Sequence, residues 1–528
     1  MLILYNARIR TLDPSRPEAS AIAIDNGRVV MTGSDHEVLS EFSSAKNRQD
    51  MNGRTIWPGL TDAHIHLQHY AFALQMIDCE TDTRAECLKR VADKARQTPP
   101  GAWIRGHGWN QNNWPEGFGT AADLDAAAPE HPVYLTAKSL HAAWANSAAL
   151  RAAGITRSTP DPDGGKIGRD ETGRPNGLLF ESAMMLVNDA IPLPAQAEVT
   201  RAIGEAQQNL WKAGLTCVHD YDRRDCFTAL QILQQEGRLH LRVVKSIPLE
   251  DLPHAVELGL RTGFGNEYLR IGSVKLFADG ALGPATAAML EPYEGQPGNS
   301  GILLMDSEEI YEHGRKASSH GLSLAIHAIG DRANHEVLQA YRHLRQFEKE
   351  QGLPHLRHRI EHVQVLHPGD ISQLAELGII ASVQPIHATS DMMAADRLWG
   401  ARSAGAYAFR SLLERQTRLC FGSDAPVESP NPFLGIHAAV TRRRPDGTPS
   451  AEGWYPAQRL SLEETLHGFT TGPAYAAGLE GSLGRLSPGT FADLIVLPQD
   501  PFSLPPEELY QAAPAATMVG GQWVWQTE

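Results

Sequence analysis

The chain reads as an α/β protein: a (β/α)₈ TIM-like barrel, a small β-sandwich domain assembled from both chain ends, and a long insertion after the first barrel strand. Three observations predict this. Short, strongly apolar runs alternate with helical stretches through most of the chain, the rhythm of a parallel sheet covered by helices. Eight such runs occur, enough to close a barrel. The two ends depart from this rhythm and read as short strands that neither end could bury alone.

Taken in order, residues 2–12 and 19–32 read as strands, the second stretch folding about Asp25-Asn26-Gly27. Asn-Gly between apolar runs signals a hairpin, because both central residues of that turn need positive φ. Residues 55–66 supply the first barrel strand. The connection from about 70 to 200 is too long for a simple crossover and carries Trp, Gly, Asn and Pro clusters, so it is expected to be an inserted subdomain covering one face of the barrel. Further barrel strands are expected at 215–220, 241–246, 271–279, 322–327, 359–364, 379–384 and 419–424. Helices are expected at 202–213 and 462–477, the latter opened by Ser461 and Glu464 in a capping-box pattern. Residues 491–497 and 517–525 return to strand character, the last broken by Gly520-Gly521. The expected domains are 1–56 and 480–528 for the two parts of the β-domain and 57–479 for the barrel.

Composition narrows the class. A length of 528 residues, 42% hydrophobic and 21% charged, describes a globular chain of more than one module. A formal net charge of −15 argues against nucleic acid as a partner, since no Lys/Arg surface is evident to neutralise phosphates. The run Arg442-Arg443-Arg444, followed by Pro-Asp-Gly, reads as a solvated loop. Cys79, Cys87, Cys217, Cys226 and Cys420 are odd in number and form no CxxC pair, so neither disulfides nor a thiolate zinc site is expected. The first residues turn polar too soon for a signal peptide, and no apolar run approaches the roughly 18 residues of a membrane span. The expectation is a cytoplasmic protein with a small-molecule substrate and no membrane partner, a homodimer being the base-rate assembly.

The chemistry is concentrated where barrel enzymes keep it, at the C-terminal ends of strands. The first strand ends Asp62-Ala63-His64-Ile65-His66. In an extended chain His64 and His66 share one side while Ile65 points away, so two imidazoles can grip one metal ion. Val274-Lys275-Leu276-Phe277 buries a lysine in an apolar strand, where an ammonium is costly unless paired or modified. His327, His362 and Asp424 end three more strands. Any one of these histidines reads most simply as a hydrogen-bonded core residue. Five strands ending His-x-His, Lys, His, His and Asp are hard to attribute to packing.

With those residues in view, the chain resembles the amidohydrolase superfamily, and within it amidohydrolase family 3, the branch that includes N-substituted formamide deformylases. The resemblance covers nearly the whole chain and rests on Pro-Gly-Leu-Thr-Asp-Ala-His-Ile-His (58–66), Gly-Leu-Thr-Cys-Val-His-Asp (214–220), Val-Lys-Leu-Phe-Ala-Asp-Gly-Ala-Leu-Gly (274–283), His-Ala-Ile-Gly-Asp (327–331), Arg-Ile-Glu-His (359–362), Gly-Ser-Asp-Ala-Pro-Val (422–427) and Leu-Ser-Pro-Gly-Thr-Phe-Ala-Asp-Leu-Ile-Val-Leu (486–497).

The resemblance implies a metal-dependent hydrolase acting on a C–N bond, of amide or N-formyl type, in a small molecule. His64, His66 and Asp424 would bind the more buried ion and His327 and His362 the second. Lys275 would be carboxylated and bridge both, the alternative being an unmodified lysine beside one ion. Imidazole and carboxylate donors favour zinc over manganese or iron. Metal-activated hydroxide would attack, with Asp424 as general base and then general acid. Asp331 and Glu361 are candidates to orient imidazoles, and His219 and Asp220 read as structural. Trp109, Asn110 and His141 in the insertion, and Phe277, Asp279 and Leu282 after Lys275, are expected to line the substrate pocket. Two rival readings are a deaminase on the same barrel and a non-catalytic scaffold. Single-metal deaminases carry a Glu where this chain has Gly330, and no proposed ligand is missing.

Overall fold

A computed structural model describes residues 1–111, 114–138 and 141–527. By its internal contacts the chain divides into two compact units, Met1–Tyr70 with Val199–Glu528, and Ala71–Glu198.

The first unit contains eight parallel strands in sequence order: β1 (Leu60–Ile65), β2 (Leu215–Asp220), β3 (Arg242–Pro248), β4 (Leu269–Phe277), β5 (Leu324–Ala328), β6 (Arg359–His362), β7 (Ile380–Val383) and β8 (Leu419–Phe421). All six residues of β1 and all six of β2 are buried, as a strand enclosed on both faces requires. Closure comes just beyond β8, where Ile65 and Ala425 form a parallel bridge. There the Asp424 amide donates to the His64 carbonyl at 2.7 Å and the His66 amide to the Ala425 carbonyl at 2.9 Å. Helices such as Gln196–Lys212 and Asp331–Glu350 bury an apolar stripe beside this sheet. The chain is thus an α/β TIM-like barrel.

Several elements differ from their sequence expectations. The stretch 55–66 is two strands. Thr55–Pro58 pairs with Arg8–Arg10 and Leu494–Leu497 in a sheet of the chain ends, and only Leu60–Ile65 enters the barrel. Gly59 is the joint, where a Cβ would lie 2.3 Å from Thr216 Oγ1 on β2, so no larger residue fits. The stretch 462–477 is also divided, into Leu462–Gly468 and Thr471–Ala476, although Ser461 and Glu464 do form the capping box. Nor is the arginine run solvated. Arg442, at φ 56°, ends the helix Pro432–Thr441 and is fully buried, donating from Nε to the Trp454 carbonyl at 3.0 Å and from Nη1 to the Tyr407 carbonyl at 3.2 Å. Carbonyl oxygens replace water at its Nε and Nη1.

The chain ends form two sheets. One contains Leu2–Tyr5, Ala21–Asp25, Arg28–Gly33 and Asn47–Asp50, with Asn26 and Gly27 at positive φ in the hairpin. The other joins Arg8–Arg10, Glu18–Ala19 and Thr55–Pro58 to Leu494–Leu497, Ala516–Val519 and Gln522–Gln526. Leu2, Leu4, Ile22 and Ile24 from the first share one apolar cluster with Ile9, Ile56, Leu494, Val496 and Met518 from the second.

A buried ion pair ties this region to the barrel. Arg242, at the start of β3, donates from Nε and Nη2 to Asp493 at 2.7 and 2.9 Å, and Asp493 also accepts the Gly520 amide at 2.8 Å. Both side chains are 2% exposed. We expect Asp493→Ala to lower stability by about 3 kcal/mol, because it strands a buried guanidinium, and urea unfolding will measure it.

The second unit holds a mixed six-stranded sheet, including Ile104–Trp109, Val133–Ala137, Ala142–Ala145 and Pro175–Glu181, with apolar clusters of its own. All five cysteines are buried and free. Among the described residues no helix is long and apolar enough to cross a membrane.

Candidate active site

At the mouth of the barrel the strand ends bring the expected side chains together, and each histidine is held by a different acceptor. His64 is 1% exposed, and its Nδ1 lies 2.6 Å from Glu361. A carboxylate only accepts, so Nδ1 carries the proton and the Nε2 lone pair is left facing the site. That Nε2 is buried without a hydrogen-bond partner among the described residues. Glu361 is itself fixed by the Tyr221 hydroxyl at 3.0 Å and by the Arg359 guanidinium, which also reaches the Ala63 carbonyl at 2.7 Å and His219 Nδ1 at 2.9 Å. Burial alone would raise the Glu361 carboxyl, but Arg359 and His64 hold it well below the usual range. Burial brings His64 down to about 4, helped by the Lys275 charge, so its ring is neutral at pH 7.

The other rings repeat the pattern. His66 Nδ1 lies 3.1 Å from Asp222. Burial opposes a charge on His66, yet its bonds to Asp222 and Asp424 lift it to about 9. His327 donates Nε2–H to the Gly280 carbonyl at 2.9 Å, leaving its Nδ1 lone pair free of a proton. Burial, then the Lys275 charge, lowers it to about 3. His362 donates Nδ1–H to Gln384 Oε1 at 2.9 Å, and burial keeps it well below its ordinary value. Its ring centroid is 4.9 Å from that of His64 and 4.6 Å from that of His327.

Asp424 sits among them, its Oδ1 3.5 Å from His64 Nε2 and 3.4 Å from His66 Nε2. Burial would raise its carboxyl, but His64 and His66 hold it well below the usual range. Asp424 (φ 59°) and His362 (φ 75°) both adopt left-handed backbone, local strain of the kind that gathers at functional sites. Two groups of donors converge: His64, His66 and Asp424 in one and His362, His387 and Asp424 in the other, with all ligand atoms of each within 4.8 Å of one another. Lys275 is 5% exposed, its Nζ 4.7 Å from the Tyr221 ring centroid and 4.9 Å from that of Phe277. It forms no ion pair among the described residues, and burial draws its ammonium down to about 8.

The donor set fits a divalent metal. Neutral imidazoles with the second nitrogen hydrogen-bonded, as in His64, His327 and His362, are the usual form of metal-binding histidine, and an unpartnered buried Nε2 on His64 needs such a partner.

A model of the amidohydrolase family matches residues 49–525. The chain belongs to the amidohydrolase family. Among similar proteins, the Arabidopsis thaliana protein LONG AFTER FAR-RED 3 is 33% identical over 539 residues, spanning 99% of this chain and 91% of its own length. An N-substituted formamide deformylase of Arthrobacter pascens is 30% identical over 542 residues, spanning 98% and 97%. The crystal structure of a metal-dependent hydrolase from Pyrococcus furiosus, 30% identical, superimposes with a TM-score of 0.79 over 95% of this chain and 99% of that one.

Within this amidohydrolase, other expected site residues take structural positions. The Asp279 carboxylate accepts the backbone amides of Ala288, Ile329 and Gly330 at 2.8 to 3.0 Å, which fixes the loop after β5. Leu282 is buried in packing, whereas Phe277 is 46% exposed with its ring 5.3 Å from His327. Asp331 accepts the Leu290 amide at 2.8 Å and, among the described residues, has no hydrogen bond to a site histidine. Asp220 pairs with Lys245 at 2.9 Å. Trp109 lies in the core of the second unit, donating to the Leu135 carbonyl, and His141 of that unit contacts Glu181 at 3.0 Å. Asn110 follows the strand Ile104–Trp109 directly, and Ser139 and Leu140, which precede His141, lie outside the described residues.

Asp222, Gln384, Tyr221, Arg359 and His387 are the site residues that sequence reasoning missed. Only Gln384, a polar residue closing an apolar strand, carried a local signal comparable to those of the ligands.

Proposed function

We propose that this amidohydrolase is a metal-dependent enzyme cleaving a C–N bond of amide or N-formyl type in a small molecule. The observation that carries the reading is the set of four imidazoles whose second nitrogen is engaged by Glu361, Asp222, Gly280 or Gln384, gathered about Asp424 and Lys275. The name of the Arthrobacter relative supports the N-formyl class.

In this reading His64, His66 and Asp424 hold one ion, and His327 and His362 hold a second. Lys275 would be carboxylated beside them: its amine, which burial shifts toward the neutral form, would add to CO₂ and lose a proton, so that an awkward buried cation becomes an anion. Zinc suits these donors. When bound, the metal supplies Lewis acidity and brings water toward ionisation near neutral pH. Asp424 accepts the proton of the attacking water and returns it to the leaving nitrogen. The two end sheets form a β-sandwich in this reading, and the domains follow the divisions expected from sequence.

A deaminase of the single-metal kind needs an acid at position 330. A Cβ there would lie 1.9 Å from the Ala288 carbonyl oxygen, so glycine is the residue the backbone allows.

The test combines metal analysis of the purified protein with amine release from N-formyl, N-acyl, carbamate and lactam compounds. We expect about two metal equivalents per chain, and Lys275→Ala should lose one of them and lower kcat by about 100-fold. A protein without transition metal, or His64→Ala with full activity, contradicts the reading.

A further inference from the structure

One side chain at the site differs from its four neighbours. His387 follows β7 by one turn, in the helix Pro385–Ser390, and is 5% exposed. The same turn contributes Gln384, which holds His362, so one short segment orients one imidazole and presents another. The His387 and His362 rings are nearly parallel, at 7° with centroids 6.3 Å apart. A ligand atom of His387 lies within 4.8 Å of those of His362 and Asp424.

Each of the four imidazoles assigned above to metal has one nitrogen anchored by an acceptor of the fold. His387 has no such anchor. Its Nε2 is buried without a hydrogen-bond partner among the described residues. A ring that must bind metal is held in one tautomer by the partner of its other nitrogen. A ring without that partner can place its proton on either nitrogen, including the one near His362 and Asp424. An unpartnered buried N–H is costly unless a bound group supplies an acceptor.

We propose that His387 is a catalytic residue, donating a ring N–H to the carbonyl oxygen of the substrate. This rests on the hydrolase reading above. As water adds to the carbonyl carbon, the C=O π pair moves onto that oxygen and its bond to the His387 N–H strengthens. Asp424 takes the water's proton, and the C–N bond then breaks with that proton delivered to the nitrogen. The products are a carboxylic acid, formic acid for an N-formyl substrate, and an amine. The contribution of His387 is realised when charge collects on oxygen, so it acts on kcat more than on KM.

The experiment compares His387→Ala, His387→Phe and His387→Asn with the wild type. Zinc stoichiometry, kcat and KM on the best amide of the panel, and calorimetric affinity for a phosphonamidate, whose tetrahedral oxyanion imitates the addition step, are the readouts. For the Ala and Phe variants we expect wild-type zinc content, KM within about threefold, kcat lower by about 100-fold or more, and phosphonamidate binding about tenfold weaker. His387→Asn restores an N–H donor without disturbing the fold, and should regain about tenfold in kcat. Unchanged kcat in an active enzyme overturns the assignment of His387 while leaving the hydrolase reading intact. Loss of a zinc equivalent overturns it in favour of a ligand role. A wild type that neither releases amine nor binds the phosphonamidate overturns the hydrolase reading and this inference with it.

Discussion

Asp424→Asn should lower kcat by about 1000-fold or more while leaving the fold intact. The two halves of that expectation have separate grounds. Asp424 adopts left-handed backbone at φ 59°, where asparagine is among the best-tolerated residues, and its amide still donates to the His64 carbonyl. Asparagine also keeps the shape of the carboxylate. What it loses is the charge and the proton affinity. The aspartate Oδ1 lies 3.4 to 3.5 Å from two ring nitrogens, and the group takes and returns the proton in the proposed reaction. General acid–base catalysis is worth 100- to 10,000-fold, and a weakened metal site adds to the deficit. Kinetics on the best panel substrate, with thermal unfolding as the control for folding, will measure it. A variant within tenfold of the wild type would remove Asp424 from the reaction.

Legibility in the sequence followed the range of the interaction. His64 and His66 stood out because a period of two puts alternate residues on one face, a rule the chain obeys locally. Lys275 stood out because a cation in an apolar strand violates a burial rule. Asp222 had no such mark, and Gln384, a polar residue closing an apolar strand, did not show which ring it holds. Their roles exist only because β2 lies beside β1 and β7 beside β6, which is tertiary information. The acceptor for His327 is a backbone carbonyl, that of Gly280, which no side chain marks in the sequence. His387 was hidden because one histidine in a short helix start carries no pattern of its own. Trp109 shows the opposite case: a Trp-rich cluster suggests a pocket, yet the insertion also needs its own core, and Trp109 and Trp114 stack there at 6.0 Å. The division of residues 55–66 between two sheets left no trace except Gly59. A continuous apolar strand and two collinear strands have the same hydrophobic pattern.

Glu361→Gln should affect both stability and metal affinity, because one carboxylate serves both. Glu361 is fully buried and meets His64 Nδ1, the Tyr221 hydroxyl and the Arg359 guanidinium. Glutamine fills the same volume but accepts through only one atom. If its oxygen faces Arg359, its NH₂ meets His64 Nδ1–H, two donors in contact. His64 must then move its proton to Nε2, and the lone pair that faces the site is lost. If the oxygen instead faces His64, the NH₂ meets a buried guanidinium. Either way Arg359, 3% exposed, keeps its charge with no carboxylate beside it, which costs about 4 kcal/mol. We expect the metal-free variant to unfold at correspondingly lower urea, and its zinc affinity to fall by 10- to 100-fold. The pH dependence follows from the depressed Glu361 carboxyl. Its stabilisation is fully present above the unfolded value near about 4.3 and is lost only as pH falls below it. The difference between variant and wild type should therefore be constant from about pH 6 to 8 and shrink in acid. Equal urea midpoints, or a zinc affinity unchanged by the substitution, would show that His64 is oriented by something other than Glu361.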